Sequence, residues 1–143
     1  MEISGCRDRK RLLSCDAFEV YSSCMYHSSY EEYKEKMTGF LQDKRAEIYI
    51  CTQEGAITGM LILDLSQTIP EILGIAVSER NRGKGVGRNL IRQVMERENL
   101  KSIRAETDED AIGFYRRCGF EEEKKRVEYP DGAAVRYICV LNL

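Results

Sequence analysis

Three glycines at alternate positions stand where they could help to bind an anion. Gly83, Gly85 and Gly87 belong to the stretch Arg82-Gly83-Lys84-Gly85-Val86-Gly87, directly before a segment of helical periodicity. Backbone without side chains at the start of a helix lets several N–H groups converge on one anion beside the positive end of the helix dipole. A phosphate is the expected ligand, although the same glycines would also suit a tight turn that binds nothing.

The spacing of these glycines excludes two common nucleotide sites. A nucleoside triphosphate loop needs Ser or Thr after its Gly-Lys, and here Lys84 is followed by Gly85. A dinucleotide-binding turn counted from Gly83 needs glycine at its sixth position, which is Arg88, and it follows its strand more closely than this turn does. The phosphate must belong to another class of ligand.

The segments that precede the glycines have the patterns of β-strands. Residues 47–52 and 56–65 are rich in β-forming residues and flank the turn Gln53-Glu54-Gly55, which predicts an antiparallel hairpin. Glu71–Val77 is almost wholly apolar, which predicts a central strand buried on both faces, with a bulge at Gly74. Helical spacing after Ser28-Ser29 predicts one helix in the N-terminal third.

Helices and strands alternate after the glycines. Residues 85–98 predict a helix with one apolar stripe. Residues 102–106 predict a strand, which is followed by a helix that Asp108 could cap and that Gly119 ends. Residues 122–129 and 133–141 flank Pro130-Asp131-Gly132 and predict a terminal hairpin.

The composition favours a single domain, residues 1–143, with small-molecule or protein partners. Apolar residues make up 43% of the chain and the formal net charge is -2, so no basic field favours nucleic acid or an anionic membrane. No apolar run approaches the roughly 20 residues that span a bilayer, and no signal sequence is evident, which predicts a cytoplasmic protein. No metal site is expected, because the cysteines form no Cys-x-x-Cys pair and His27 has no partner at ligand spacing.

Two longer motifs resemble those of the GNAT superfamily of N-acetyltransferases. The first runs from Gly74 to Gly87, with Arg82, Gly85 and Gly87 on the family's Arg/Gln-x-x-Gly-x-Gly/Ala pattern. The second, residues 108–120, is similar to its Asn-x-x-Ala-x-x-Phe-Tyr-x-x-x-Gly-Phe helix, with Asp108 in place of Asn. The resemblance implies an α/β (α+β) fold, in which a mixed, mostly antiparallel sheet of six to seven strands is flanked by about four helices.

The same resemblance implies acetyl-CoA as cosubstrate. Amides along residues 83–88 would bind the CoA pyrophosphate, and the backbone of residues 75–77 would pair with the pantetheine arm and hold the oxyanion. A side-chain contact from Asp108 to CoA is left open by its departure from the family pattern. The implied donor-binding residues are Ile75, Ala76, Val77, Arg82, Gly83, Lys84, Gly85, Val86, Gly87, Arg88, Asp108 and Ala111.

Two side chains are candidates for the chemistry of acetyl transfer. Tyr115 occupies the tyrosine position of the second motif, and a phenol with a pKa near 10 could protonate the leaving thiolate at neutral pH. It could equally be a core aromatic residue. Glu71 stands at the edge of the apolar strand, where some family members place a general base that acts through water, but a first strand residue is also commonly solvated.

The function expected from these residues is N-acetyl transfer from acetyl-CoA to a primary amine of a small molecule or protein, by direct attack in a ternary complex. A CoA-binding sensor or partner domain without turnover is the alternative. The tyrosines and acids of the N-terminal third could receive a cationic amine or could simply form an amphipathic helix. The terminal hairpin could also pair between subunits, which would give a homodimer.

Overall fold

One seven-stranded sheet runs through the protein, and a computed structural model describes the chain over residues 2–25 and 29–143. The order across the sheet is β1-β2-β3-β4-β5-β7-β6, and every neighbouring pair is antiparallel except β4 and β5. The strands are β1 (Glu2–Gly5), β2 (Ala46–Gln53), β3 (Ala56–Asp64), β4 (Glu71–Val77), β5 (Ser102–Thr107), β6 (Glu121–Tyr129) and β7 (Gly132–Asn142). The predicted fold class is confirmed.

Five α-helices are found within the described residues, against the expected four or so, because the N-terminal third folds into three helices instead of one. The predicted helix after Ser29 is the longest of these, and Ser29 caps it by accepting a hydrogen bond from the Glu32 amide; Ser28 lies outside the described residues. The helices are α1 (Arg9–Leu12), α2 (Cys15–Tyr21), α3 (Tyr30–Gln42), α4 (Val86–Arg97) and α5 (Ile112–Arg117).

Two separate apolar clusters, one on each face of the sheet, hold the layers together. The first contains the predicted stripe of α4 together with residues of α5, and the second contains residues of α1, α2 and α3. The α4 stripe, which was predicted from periodicity, is buried at each of its positions: Val86, Leu90, Ile91, Val94 and Met95. The sheet therefore separates a face that carries the glycine-rich turn from a face formed by the N-terminal third.

The two predicted hairpins are present, and the turn between β2 and β3 contains a second left-handed residue besides its glycine. Between β2 and β3, both Glu54 and Gly55 have positive φ angles, 52° and 81°. This pair of left-handed residues matches the twist of the flanking strands. The second hairpin joins β6 and β7 at Gly132, and the charged residues of β6 lie exposed at the edge of the sheet.

Strand β4 is central but is not buried on both faces, which corrects the prediction from its apolar composition. Only Ile72 and Ala76 are buried, while the other five residues keep intermediate exposure. The reason is that β5 pairs with β4 at one position alone, Glu71 with Arg104. The predicted bulge is found beside Gly74, since Ile62 faces Gly74 and Leu63 faces Ile72, which leaves Leu73 as the extra residue.

No helix in the described part of the chain is long and apolar enough to cross a membrane. The cytoplasmic location and the single domain stay predictions.

Candidate functional site

A gap opens in the middle of the sheet where β4 and β5 diverge. Ser78 donates its amide to the Thr58 carbonyl at 2.8 Å, on the β3 side of the chain. Because successive amides of a strand point to opposite edges, the N–H groups of Ile75 and Val77 face the β5 side, whereas that of Ala76 faces β3. Beyond Glu71, β5 offers β4 no paired position among the described residues. Ile75 and Val77 thus present free donors to the gap.

The glycine-rich turn lies at the open end of β4 and leads into α4. Gly83 and Gly85 have φ angles of 76° and 75°, and no atom lies within 4 Å of the position that a Cβ would take at either residue. Gly85 is the N-cap of α4, where no side chain caps the helix and its first turn contains no acid. The amides of Val86, Gly87 and Arg88 therefore have no acceptor within the helix, and the geometry suits an anion.

Gly87 has a different role from the other two glycines. A Cβ at this position would lie 2.8 Å from Cε1 of Phe114 and 2.9 Å from its Cζ. The missing side chain lets α5 pack closely against the first turn of α4. Gly83 and Gly85 supply left-handed backbone, whereas Gly87 sets the position of the helix that carries Tyr115.

Three cations surround the turn without a carboxylate partner in the described residues. Arg82, Lys84 and Arg88 are exposed, and none of the ion pairs found within residues 2–25 and 29–143 involves them. Their charges add to the potential of the helix N-terminus, which favours a multiply charged anion such as a pyrophosphate.

Tyr115 is buried between two aromatic rings on the α4 face of the sheet. It is 7% exposed, and Phe114 and Phe120 each meet it edge-on with ring centroids 5.2 Å away. Burial raises its pKa well above the ordinary value, with smaller contributions from the thiols of Cys139, Cys118 and Cys24. The Tyr115 hydroxyl stays protonated throughout the physiological pH range.

Asp108 caps a turn, but not the first residue of α5. Its Oδ1 accepts the Ala111 amide at 3.0 Å, and its carbonyl accepts the Ile112 amide at 3.1 Å. The helix itself starts at Ile112, with Ala111 as its N-cap, which corrects the prediction that Asp108 caps it. One carboxylate oxygen is therefore engaged with the protein's own backbone.

Glu71 lies at the closed end of the gap, away from the glycine-rich turn. Its Oε1 accepts a hydrogen bond from Nη1 of Arg104 at 2.8 Å, and the two side chains are 23% and 26% exposed. Four residues separate it from Ile75, which is about 13 Å along a strand. The amides of Ile75 and Val77 thus face the gap, with Glu71 at its closed end, and Tyr115 lies in the core cluster on the α4 face of the sheet.

The tyrosines of the N-terminal third form part of a core and do not form an open aromatic cage. The hydroxyls of Tyr30 and Tyr33 donate to the carbonyls of Leu13 and Leu12. Tyr33 is fully buried and Tyr21 is 2% exposed. The amphipathic helix is therefore the interpretation that the structure supports for α3; Tyr26 and His27 lie outside the described residues.

Tyr21 lies against strand β4, which the sequence did not predict. Its hydroxyl lies over Gly74 of β4, in the space that a Cβ at that glycine would need. Its position on the buried face of α2, with Ala17 and Val20, indicates a core residue and nothing more. No pattern in the sequence relates Tyr21 to Gly74.

The comparisons with known proteins agree with this geometry. Residues 44–122 match the family described as acetyltransferase (GNAT) domain, whereas no curated protein matches the sequence. Ribosomal-protein-S18-alanine N-acetyltransferase from Escherichia coli has a similar structure, with a TM-score of 0.72 at 20% identity over 99% of this chain and 92% of that chain. A variant of spermidine N-acetyltransferase from Vibrio cholerae gives 0.70 at 16% identity over 99% and 95%.

A third similar structure, from Bacillus anthracis, was solved in complex with acetyl coenzyme A. Its TM-score is 0.59 at 24% identity, over 74% of this chain and 67% of that chain. At these low sequence identities, the structural similarities establish the fold alone. The family match covers more than half of the sequence and includes the glycine-rich turn. The chain therefore belongs to the GNAT family of acetyltransferases.

Proposed function

We propose that this protein transfers the acetyl group of acetyl-CoA to a primary amine in a ternary complex. The observation that carries the proposal is the continuity of two sets of free backbone donors. The amides of Ile75 and Val77 face the gap, and the uncapped N-terminus of α4 follows at its open end. The pantetheine arm of acetyl-CoA carries amide carbonyls and ends in a pyrophosphate. Its acceptors therefore follow the same order as the donors of β4 and α4.

The binding residues follow from this continuity. Amides at the start of α4 and the exposed cations Arg82, Lys84 and Arg88 would hold the phosphates, since the space beside Gly83 and Gly85 is open. The edge of β4, from Ile75 through Ala76 to Val77, would pair with the pantetheine arm. Acetyl-CoA supplies a thioester whose thiolate can leave. Asp108 and Ala111 would contribute through the turn that they form before α5, and not through a free carboxylate.

The chain's own groups can serve each step of the transfer. A backbone amide on the gap side of β4 would stabilise negative charge on the carbonyl oxygen as the amine adds. Tyr115 would face the departing sulfur. Because burial raises the pKa of Tyr115 above that of a thiol, complete proton transfer is unfavourable, and the phenol would act mainly by donating a hydrogen bond to the thiolate.

Glu71 would accept the amine's proton through water. Glu71 lies about 13 Å from Ile75 along β4, so we propose that the proton crosses the gap through water. The ion pair with Arg104 holds the carboxylate in place at 2.8 Å, and we propose that this residue contributes to the rate on the order of a hundredfold.

The charges beside the gap favour an acceptor with a single amine over a polyamine. On the face of the sheet opposite α4, Glu71 is paired with Arg104, and Glu106 lies 3.7 Å from Lys125 and 3.9 Å from Arg136. A polyamine needs carboxylates that are free to pair with it. Glu71 and Glu106 are already paired with the protein's own cations.

Two measurements test the proposal. Acetyl-CoA at a hundred times its dissociation constant should stabilise the protein by about 2.7 kcal/mol, which a thermal melt detects. Release of free CoA thiol is then followed with a peptide bearing a free N-terminal amine, a small monoamine and spermidine. Turnover with a monoamine or peptide is expected. Binding without release of thiol by any amine would favour the sensor domain, and no stabilisation by acetyl-CoA would overturn both functions.

The homodimer also stays a proposal. Strand β6 is an edge of the sheet, but its charged residues Glu121 to Arg126 are exposed, and charged edges oppose pairing with a second strand. A dimer through this edge would need complementary pairing of these charges. It should dissociate at high salt in size-exclusion chromatography.

A further inference from the structure

The hydroxyl of Tyr21 and the backbone of Gly74 fit together at the bulge of β4. A Cβ at Gly74 would lie far inside van der Waals contact with the Tyr21 hydroxyl, and 3.2 Å and 3.3 Å from its ring carbons Cζ and Cε2. No side chain other than hydrogen can therefore stand at position 74 while Tyr21 keeps its place. The tyrosine occupies the space above β4 that a side chain of the strand would otherwise fill.

Tyr21 is held firmly in this position. Its ring packs against that of Tyr33, with centroids 5.8 Å apart. The chain after Tyr21 turns back, and Cys24 Sγ donates to the Tyr21 carbonyl at 3.1 Å. A side chain that is 2% exposed and packed on several sides is a rigid wall and cannot easily swing away.

Gly74 lies directly next to the edge that we assign to the pantetheine arm. The arm would run from the phosphates at α4 along Val77 and Ile75, so the next position along β4 is where the thioester and its acyl group would lie. Tyr21 lies over Gly74 from the α2 face, and Tyr115 belongs to the core cluster on the opposite face of the sheet. The pKa of Tyr21 is raised chiefly by burial and to a smaller extent by the nearby groups of Cys24, Tyr33 and Tyr115.

We propose that Tyr21 is the residue that restricts the acyl donor to acetyl, because its hydroxyl closes the space beyond the acyl methyl group at Gly74. This inference rests on the proposed function. An acyl chain one or two carbons longer would meet the hydroxyl oxygen and the rigid ring behind it. The neutral phenol also offers a polar surface to methylene groups that could not pair with it.

The test compares the binding of free CoA, acetyl-CoA, propionyl-CoA and butyryl-CoA by calorimetry. We expect the wild type to bind acetyl-CoA at least tenfold more tightly than butyryl-CoA. In Tyr21→Phe, loss of the oxygen should make propionyl-CoA bind as tightly as acetyl-CoA or more tightly, since each buried methylene strengthens binding about fourfold. Ratios measured within one variant cancel any general loss of stability.

Tyr33→Phe is the matched control, because Tyr33 belongs to the same aromatic cluster but directs its hydroxyl to Leu12. It should keep the wild-type preference. Gly74→Ala gives a second test that leaves Tyr21 intact. The new methyl group and the hydroxyl cannot coexist, so acetyl-CoA should lose at least tenfold in affinity while free CoA loses less, and adding Tyr21→Phe should restore part of the difference.

The outcomes separate this inference from the proposed function. If the wild type binds acetyl-CoA but binds butyryl-CoA equally well, or if Tyr21→Phe leaves every ratio unchanged, Tyr21 does not select the acyl group and the donor site stands. A wild type that binds neither CoA nor its thioesters overturns both. A shift of the ratios in Tyr33→Phe as large as in Tyr21→Phe would also overturn the assignment, because the effect would then belong to the whole cluster.

Discussion

Glu71 and Arg104 form an ion pair at the one position where β4 and β5 are paired in the described part of the chain. Nη1 of the arginine lies 2.8 Å from Oε1 of the glutamate. The pair therefore joins the two strands at the closed end of the gap and also holds the carboxylate that we propose as the base. A structural role and a chemical role for Glu71 predict different effects of substitution on the rate.

Replacing Glu71 by Gln should lower kcat on the order of a hundredfold if the carboxylate accepts a proton. The Kd for acetyl-CoA should stay the same in this variant. Arg104→Gln breaks the same ion pair but keeps the carboxylate, so it should cost less activity. Equal losses of kcat in both variants would assign Glu71 a structural role only.

Tyr115→Phe tests hydrogen bonding to the leaving group. We expect kcat to fall on the order of tenfold to a hundredfold, with acetyl-CoA binding unchanged. Since burial raises the pKa of this tyrosine, its titration should cause no decline of the wild-type rate up to about pH 10. Tyr137→Phe is the control, because Tyr137 is equally buried in the same cluster. Full turnover by Tyr115→Phe would contradict the assignment.

The glycines of the turn should separate into two classes when each is replaced by alanine. At Gly85, with φ of 75° and open space around it, the backbone strain costs about 1 kcal/mol, and the main effect should be weaker acetyl-CoA binding. At Gly87 the new methyl group would press on Phe114, and overpacking should cost about 2 kcal/mol of folding stability. Thermal melts and calorimetry distinguish the two effects.

A compensating substitution tests whether overpacking explains the effect at Gly87. In Gly87→Ala, the added variant Phe114→Leu should restore most of the lost melting temperature, because it removes the ring atoms that lie closest to the new methyl group. In Gly85→Ala the same substitution should restore nothing. If Phe114→Leu restores neither variant, the close packing of α4 and α5 is not the reason for a glycine at position 87.

The protein should lose stability steeply above pH 10. Burial raises the pKa of several tyrosines from 10.0, so the unfolded chain releases their protons at lower pH than the folded protein does. The stabilisation is complete below pH 10 and is lost as pH rises towards the folded-state pKa values, by about 1.4 kcal/mol per pH unit for each tyrosine. The four groups are Tyr21, Tyr33, Tyr49 and Tyr115.

Urea unfolding between pH 8 and pH 11 measures this loss. The buried thiols Cys118 and Cys139, whose pKa values are also raised from 9.0, should add to it from about pH 9. Above pH 10, Tyr33→Phe should reduce the slope of the free energy of unfolding against pH by the contribution of one tyrosine. A free energy of unfolding that does not change between pH 9 and pH 11 would show that these side chains titrate in the folded state as they do in water.

Local patterns were sufficient for most of the elements. The stripe of α4, the left-handed stop at Gly119 and the hairpins depend on the periodicity and backbone preferences of residues close together in the chain. The exposure of β4 was not predictable in the same way. An apolar strand is expected to be covered by its neighbours, and only the divergence of β5 leaves its residues half-exposed.

The sequence by itself determined the family and the glycine-rich turn, because these depend on consecutive residues and on the conformations that glycine permits. The tertiary structure decided which groups meet. It placed the Tyr21 hydroxyl over Gly74, although more than fifty residues separate the two in the sequence. It also packed Phe114 closely against Gly87 and paired Glu71 with Arg104. Such contacts arise from the packing of whole layers against the sheet, so no local pattern of residues specifies them.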